Sequence, residues 1–84
     1  MSDSSTWRTA DNALHLSVTC STFMAAIELV QQVALVAEEM DHHPDIDIRW
    51  RTVTFVLSTH SAGGITDLDY QLAEKIDSLI AHQN

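Results

Sequence analysis

The sequence predicts an α+β domain in which helices pack on one face of an antiparallel sheet. Two observations carry this. Residues 13–20 and 49–59 alternate apolar and polar side chains with the period of a strand. Residues 22–41, and the segment that follows Thr66, space their apolar residues as a helix does. The predicted order is strand, strand, helix, strand, helix, in a single domain over residues 1–84, with residues 1–5 a loose tail.

Each element has its own warrant. Leu14, Leu16, Val18 and Cys20 share one face of a strand, and His15, Ser17 and Thr19 share the other. Asp11-Asn12 is turn chemistry, so Thr6 to Ala10, carrying Trp7, forms the preceding hairpin strand. Ser21 is a good N-cap for the first helix. Thr22 to Asp41 contains no Gly or Pro, and Phe23, Ala26, Ile27, Val30, Ala34 and Ala37 recur at helical spacing. Met24, Leu35 and Val36 lie off that stripe. The apolar surface is therefore wider than one packing face needs, which points to a partner subunit.

Pro44 disfavours helical backbone at His43, so His42 and His43 sit at or just past the helix end, in a rigid turn. In the segment Arg49 to Thr59, Val53, Phe55 and Leu57 alternate with Thr52, Thr54, Val56 and Ser58. A strand regular to its end puts Trp50 and His60 on the same side. His60 to Gly64 is a loop; Thr66 then caps a helix whose apolar stripe is Leu68, Leu72, Ile76 and Leu79, with Asp69 at its third position.

Composition narrows the function. Four Lys and Arg against twelve Asp and Glu give a formal net charge of −8 in 84 residues. Phosphate binding needs clustered positive charge, so a nucleic-acid role is excluded, and anionic membrane surfaces are disfavoured. No run approaches the roughly 20 apolar residues of a membrane span, and the polar N-terminus has no signal-peptide core. The expectation is a soluble cytoplasmic protein; a single cysteine, Cys20, agrees with a reducing compartment and rules out an internal disulfide. A domain this small gains from oligomerisation.

Five histidines stand out. His15 lies on an exposed strand face and His82 near the C-terminus, and both read as ordinary polar residues. His42, His43 and His60 differ, because two are fixed by a proline and the third ends a strand. Imidazole titrates near pH 6.5 and can give or take a proton at neutral pH. Three converging imidazoles suit proton transfer on a small polar molecule. From spacing alone, two other readings stay open: polar loop residues at element ends, or a metal site of His42, His60 and Asp69. Singly, Glu38 reads as a solvated helix residue, Trp50 as packing, and Asp69 as a helix-start carboxylate.

Taken together these residues form a longer pattern: Glu38, three residues, His42-His43-Pro44, five residues, Trp50, nine residues, His60, eight residues, Asp69. This resembles the signature of the pterin-4a-carbinolamine dehydratases, and the flanking segments VALVAEEMDHHPDIDIRW and VTFVLSTHSAGGITDLDYQLAEKID agree with it. The resemblance spans roughly residues 21–80. It implies dehydration of 4a-hydroxytetrahydropterin to quinonoid dihydropterin, recycling a tetrahydrobiopterin-type cofactor, with no metal or organic cofactor. It implies that His42 and His60 act as general acid or base and that His43 mainly holds the pterin. Asp69 would orient a histidine and favour its charged form. Trp50 would contact substrate and Glu38 would support the site.

The chain departs from the family in two places. Its Trp7 matches the family's strand tryptophan, so the helix that members commonly carry before that strand is expected to be missing. It has Ile46 and Ile48 where many members carry an aromatic and an asparagine. The resemblance also implies a homodimer or homotetramer, and a protein partner through the 22–41 helix, since members can serve as dimerisation cofactors. A non-catalytic interaction module and pterin chemistry linked to molybdopterin metabolism are the alternatives. Retention of His60 and Asp69 favours catalysis, because a docking helix needs neither.

Overall fold

Asp11 and Asn12 both take left-handed backbone angles, with φ of 53° and 60°. Two such residues in a row suit the right-handed twist of a tight hairpin. They fold Arg8–Ala10 (β1) back onto Ala13–Thr19 (β2), pairing Ala10 with Ala13 and Arg8 with His15. The computed structural model describes residues 7–83. The tail expected at residues 1–5 lies outside them. Trp7 precedes β1, and its indole N–H donates to Asp77 Oδ1 at 2.9 Å, tying the hairpin to the last helix.

The first helix, α1, runs Phe23–Met40, within a residue of each expected end. Its N-cap is Thr22 rather than Ser21: the Thr22 hydroxyl accepts from the Ala25 N–H at 3.0 Å. The buried face is Ala26, Leu29, Val33 and Ala37. It is therefore rotated from the expected stripe. Ala26 and Ala37 are inside, but Phe23 is 48% exposed, and Leu29 and Val33 take the central positions. Met24 and Leu35, at 65% and 70% exposure, stand on the outer side with the exposed Glu28 and Gln31 between them.

After the Pro44 turn the chain forms a strand that the alternation pattern does not mark: β3, Asp45–Arg49. It pairs antiparallel with β4, Thr52–Leu57, in register Ile46 to Phe55 and Arg49 to Thr52. The strand expected over 49–59 is thus shorter at both ends, and Trp50-Arg51 is the turn joining β3 to β4. Trp50 holds φ 55°, is 71% exposed, and carries the Arg51 guanidinium 4.3 Å over its ring.

The sheet order is β1-β2-β4-β3, antiparallel throughout. Val53, Phe55 and Leu57 point from β4 into the core with Leu14 and Leu16 of β2. The opposite face carries hydroxyls, and Ser17 and Thr54 share a hydrogen bond of 2.8 Å there. Asp67–Gln83 (α2) closes the core with Leu72, Ala73 and Ile76. Leu68, expected in that stripe, is instead 40% exposed. Both helices contact the same core cluster, so the α+β class holds with one strand more than the pattern marked. Among the described residues no helix is long and apolar enough to cross a membrane.

Candidate acid–base site

The site begins where α1 stops. Asp41 takes the left-handed conformation (φ 52°, ψ 43°), and its N–H donates to the Glu38 carbonyl at 3.2 Å. The His42 N–H donates back to the Ala37 carbonyl at 3.0 Å. These two crossed bonds are the Schellman closure of a helix end. Asp fills the position that Gly usually takes, since it tolerates left-handed backbone better than most residues. The closure fixes the His42 backbone to the last turn of α1, and Pro44 then starts the chain toward β3.

Asp69, in the first turn of α2, is fully buried, the only charged side chain so placed among the described residues. Its carboxylate is saturated with donors. Oδ1 lies 2.6 Å from His42 Nε2. Oδ2 accepts from the Thr59 hydroxyl at 2.8 Å and from the Thr66 N–H at 2.9 Å. Burial by itself would push the Asp69 carboxyl up. The hydrogen bonds from His42, the Thr66 amide and Thr59, with the nearby His42 charge, outweigh burial and hold it below the usual carboxylate value. An ionised carboxylate only accepts, so His42 Nε2 carries the proton. Nδ1 is then the ring nitrogen that Asp69 does not engage.

His43 makes a contact of the same length to a different kind of partner. Its Nε2 lies 2.6 Å from Glu38 Oε2, and the two side chains are 55% and 75% exposed. His60 starts a single turn of 3₁₀ helix, His60–Ala62, closed by Gly63 at φ 71°. The backbone clamps this turn at its base: Thr59 N–H donates to the Gly64 carbonyl at 2.8 Å, and Gly64 N–H to the Thr59 carbonyl at 3.3 Å. His42, His43 and His60 line one open cleft of about 430 Å³, with Asp45, Ser58 and Ser61 on its walls.

The expected site residues therefore divide. His42, His43 and His60 share the cleft, Asp69 backs His42, and Glu38 holds His43 from the end of α1. Trp50 does not join them within this chain. The cleft lies where β3 begins and β4 ends, and Trp50 turns the hairpin at its other end, about 17–20 Å away for strands of this length. The same-side argument for Trp50 and His60 fails because β4 starts only at Thr52. The alternative grouping of His42, His60 and Asp69 around a metal is not formed, since both Asp69 oxygens are taken up by His42, Thr59 and Thr66. Thr59 is a site residue that spacing arguments missed. Thr66 was read only as a helix cap, and its hydroxyl in fact lies 2.7 Å from that of Thr59.

Fold and site together define a small α+β domain that presents three histidines around an open cleft, one of them held by a buried carboxylate. The chain belongs to the pterin-4-alpha-carbinolamine dehydratase family: the family model described as Pterin 4 alpha carbinolamine dehydratase matches residues 1–79. A relative from Mycolicibacterium vanbaalenii, named "Putative pterin-4-alpha-carbinolamine dehydratase", is 60% identical over 74 residues, covering 88% of this chain and 80% of the relative. A Mycobacterium tuberculosis protein of the same printed name is 55% identical over 73 residues, covering 87% and 78%. Among solved structures, a transcriptional coactivator/pterin dehydratase from Brucella melitensis superposes with a TM-score of 0.86 at 34% identity, covering 89% of this chain and 82% of that one. A pterin dehydratase-like RuBisCO assembly factor of the alpha-carboxysome shares the fold, with a TM-score of 0.72 at 16% identity over 87% of this chain and 84% of that one.

Proposed function

We propose that this chain is a dehydratase that converts a 4a-hydroxytetrahydropterin to quinonoid dihydropterin and water by histidine acid–base catalysis. The observation that carries the reading is the buried Asp69–His42 pair at the wall of a cleft shared with His60 and His43. In the reaction the C4a–O bond breaks, the leaving oxygen gains a proton, and a ring N–H loses one as the C=N bond forms. One water leaves, and no redox partner is needed. His42 and His60 supply the proton donor and acceptor, an arrangement worth about 10²–10⁴-fold. Asp69 keeps the His42 ring in one orientation and stabilises the imidazolium formed when Nδ1 takes up a proton. His43, held by Glu38 at the cleft rim, binds the pterin. A neutral, flat substrate suits an acidic protein with few Lys or Arg.

Oligomerisation belongs to the same proposal. Phe23, Met24 and Leu35 expose a strip of α1, apolar at both ends with Glu28 and Gln31 between, that a homodimer or homotetramer would cover. The same strip supports the second reading, a docking module, since a RuBisCO assembly factor shares this fold. Two measurements separate the readings. Stopped-flow decay of 4a-hydroxytetrahydropterin, with and without protein, tests the dehydratase; a rate equal to the spontaneous one contradicts it. Leu35→Asp should lower the mass seen by light scattering, and unchanged mass would show that this strip is not the interface.

A further inference from the structure

Thr59 joins the two halves of the cleft. Its single hydroxyl proton is spent on Asp69 Oδ2 at 2.8 Å, so the 2.7 Å contact with Thr66 Oγ1 must run the other way, with Thr66 donating. A directed chain results: Thr66 hydroxyl to Thr59 hydroxyl to Asp69 carboxylate, which accepts His42 Nε2–H on its other oxygen. The Thr59 backbone meanwhile anchors the loop that carries His60. It exchanges hydrogen bonds with Gly64, and its carbonyl also accepts from the Ala62 N–H at 3.0 Å. Side chain and backbone of one residue thus serve different histidines.

We propose that Thr59 is a positioning residue, whose hydroxyl locks the Asp69 carboxylate so that His42 is held as the Nε2–H tautomer with Nδ1 presented to the cleft. Without the hydroxyl, Oδ2 keeps only the Thr66 amide, and the carboxylate can rotate about its terminal torsion, which is broad and soft. The orientation of His42 then loosens. His60 follows less, because the bonds from Thr59 to Gly64 and Ala62 that clamp its loop are backbone and remain when the Thr59–Thr66 hydroxyl contact is lost. The inference deepens the dehydratase reading and rests on it only for its kinetic consequence. The orientation of His42 is a property of the chain itself.

Thr59→Val keeps the branched shape and removes the hydroxyl, and Thr59→Ser restores the hydroxyl without the methyl. The expected kinetic result for Thr59→Val is a fall in kcat of about 10–100-fold, the range seen when an outer partner of a functional side chain is lost. KM should stay within about twofold, and Thr59→Ser should recover most of kcat. The second readout is ¹⁵N NMR of the histidine rings. Wild type and Thr59→Ser should show His42 as a single Nε2–H tautomer and Thr59→Val a mixture, with a clearly smaller change at His60 than at His42. A Thr59→Val protein with unchanged kcat and an unchanged His42 tautomer would overturn the inference, as would equal disturbance of His42 and His60. If wild type shows no dehydratase activity, the functional reading fails while the ring shifts still decide the role of Thr59. Should Thr59→Val fail to fold, the comparison of Thr59→Ser with Thr59→Ala by the same spectra replaces it.

Discussion

Two adjacent histidines make carboxylate contacts of equal length and opposite character. His42 meets Asp69 at 2.6 Å with side-chain exposures of 10% and 0%; His43 meets Glu38 at 2.6 Å with exposures of 55% and 75%. The inner pair sits where water is excluded, so its hydrogen bond is strong and directional and a missing partner is costly. The outer pair sits in high dielectric, where an ion pair contributes about 0–1 kcal/mol and salt screens it. Length alone says little about what a contact does. The surroundings make one pair a fixed buried unit and the other an adjustable rim.

The largest effect should come from breaking the inner pair. Asp69→Asn keeps the shape but replaces one acceptor oxygen with a donor. Thr59, the Thr66 amide and His42 all present donors to that carboxylate, so one of them must turn away or change tautomer. We expect kcat to fall about 10²–10⁴-fold, as when the carboxylate behind a catalytic histidine is replaced, read by stopped flow. The same pair sets an acid limb of stability. Asp69 ionises more readily in the folded chain than in the unfolded one, so its stabilisation is fully present above the unfolded carboxylate value of about 3.9. It is lost as pH falls through the lower folded value. Urea denaturation from pH 7 to 2 should show wild type losing stability over that acid range and Asp69→Asn losing less. Parallel curves would mean that Asp69 carries no such linkage.

The outer pair should respond more weakly. If His43 binds the pterin as proposed, His43→Ala should raise KM about tenfold with a smaller change in kcat; an unchanged KM would remove it from the substrate contact set. Glu38→Gln should move the denaturation midpoint by no more than about 0.5 kcal/mol in free energy, the usual worth of an exposed pair. A shift above 2 kcal/mol would show that the outer pair is not the solvated contact described here.

The contrast also shows how much of this was legible in the sequence. Strong periodicity marked β2, α1, β4 and α2. It missed β3, because Asp45-Ile46-Asp47-Ile48-Arg49 is a short charged edge strand directly after a proline, and two isoleucines are too few to separate alternation from chance. The burial face of α1 was rotated because exposed Phe23, Met24 and Leu35 compete with Leu29 and Val33 for the apolar stripe; the exposed Glu28, Gln31, Gln32, Glu38 and Glu39 mark the outer side, and packing places Leu29 and Val33 inside. The histidines and Asp69 were visible through family resemblance. Spacing grouped Asp69 with His42 only as metal ligands; their direct hydrogen bond depends on α2 laying its first turn against the end of α1. Thr59 carried no pattern at all. It became visible only when every acceptor position on a buried carboxylate was traced to its donor.

The most direct test of the account is stopped-flow decay of 4a-hydroxytetrahydropterin with wild type and Asp69→Asn, each against the spontaneous background, on protein shown by circular dichroism to be folded. The account predicts a clear acceleration by wild type and a rate near background with Asp69→Asn. Equal acceleration by both would contradict the claim that the buried pair is the working part of the site, and no acceleration by either would contradict the dehydratase reading itself.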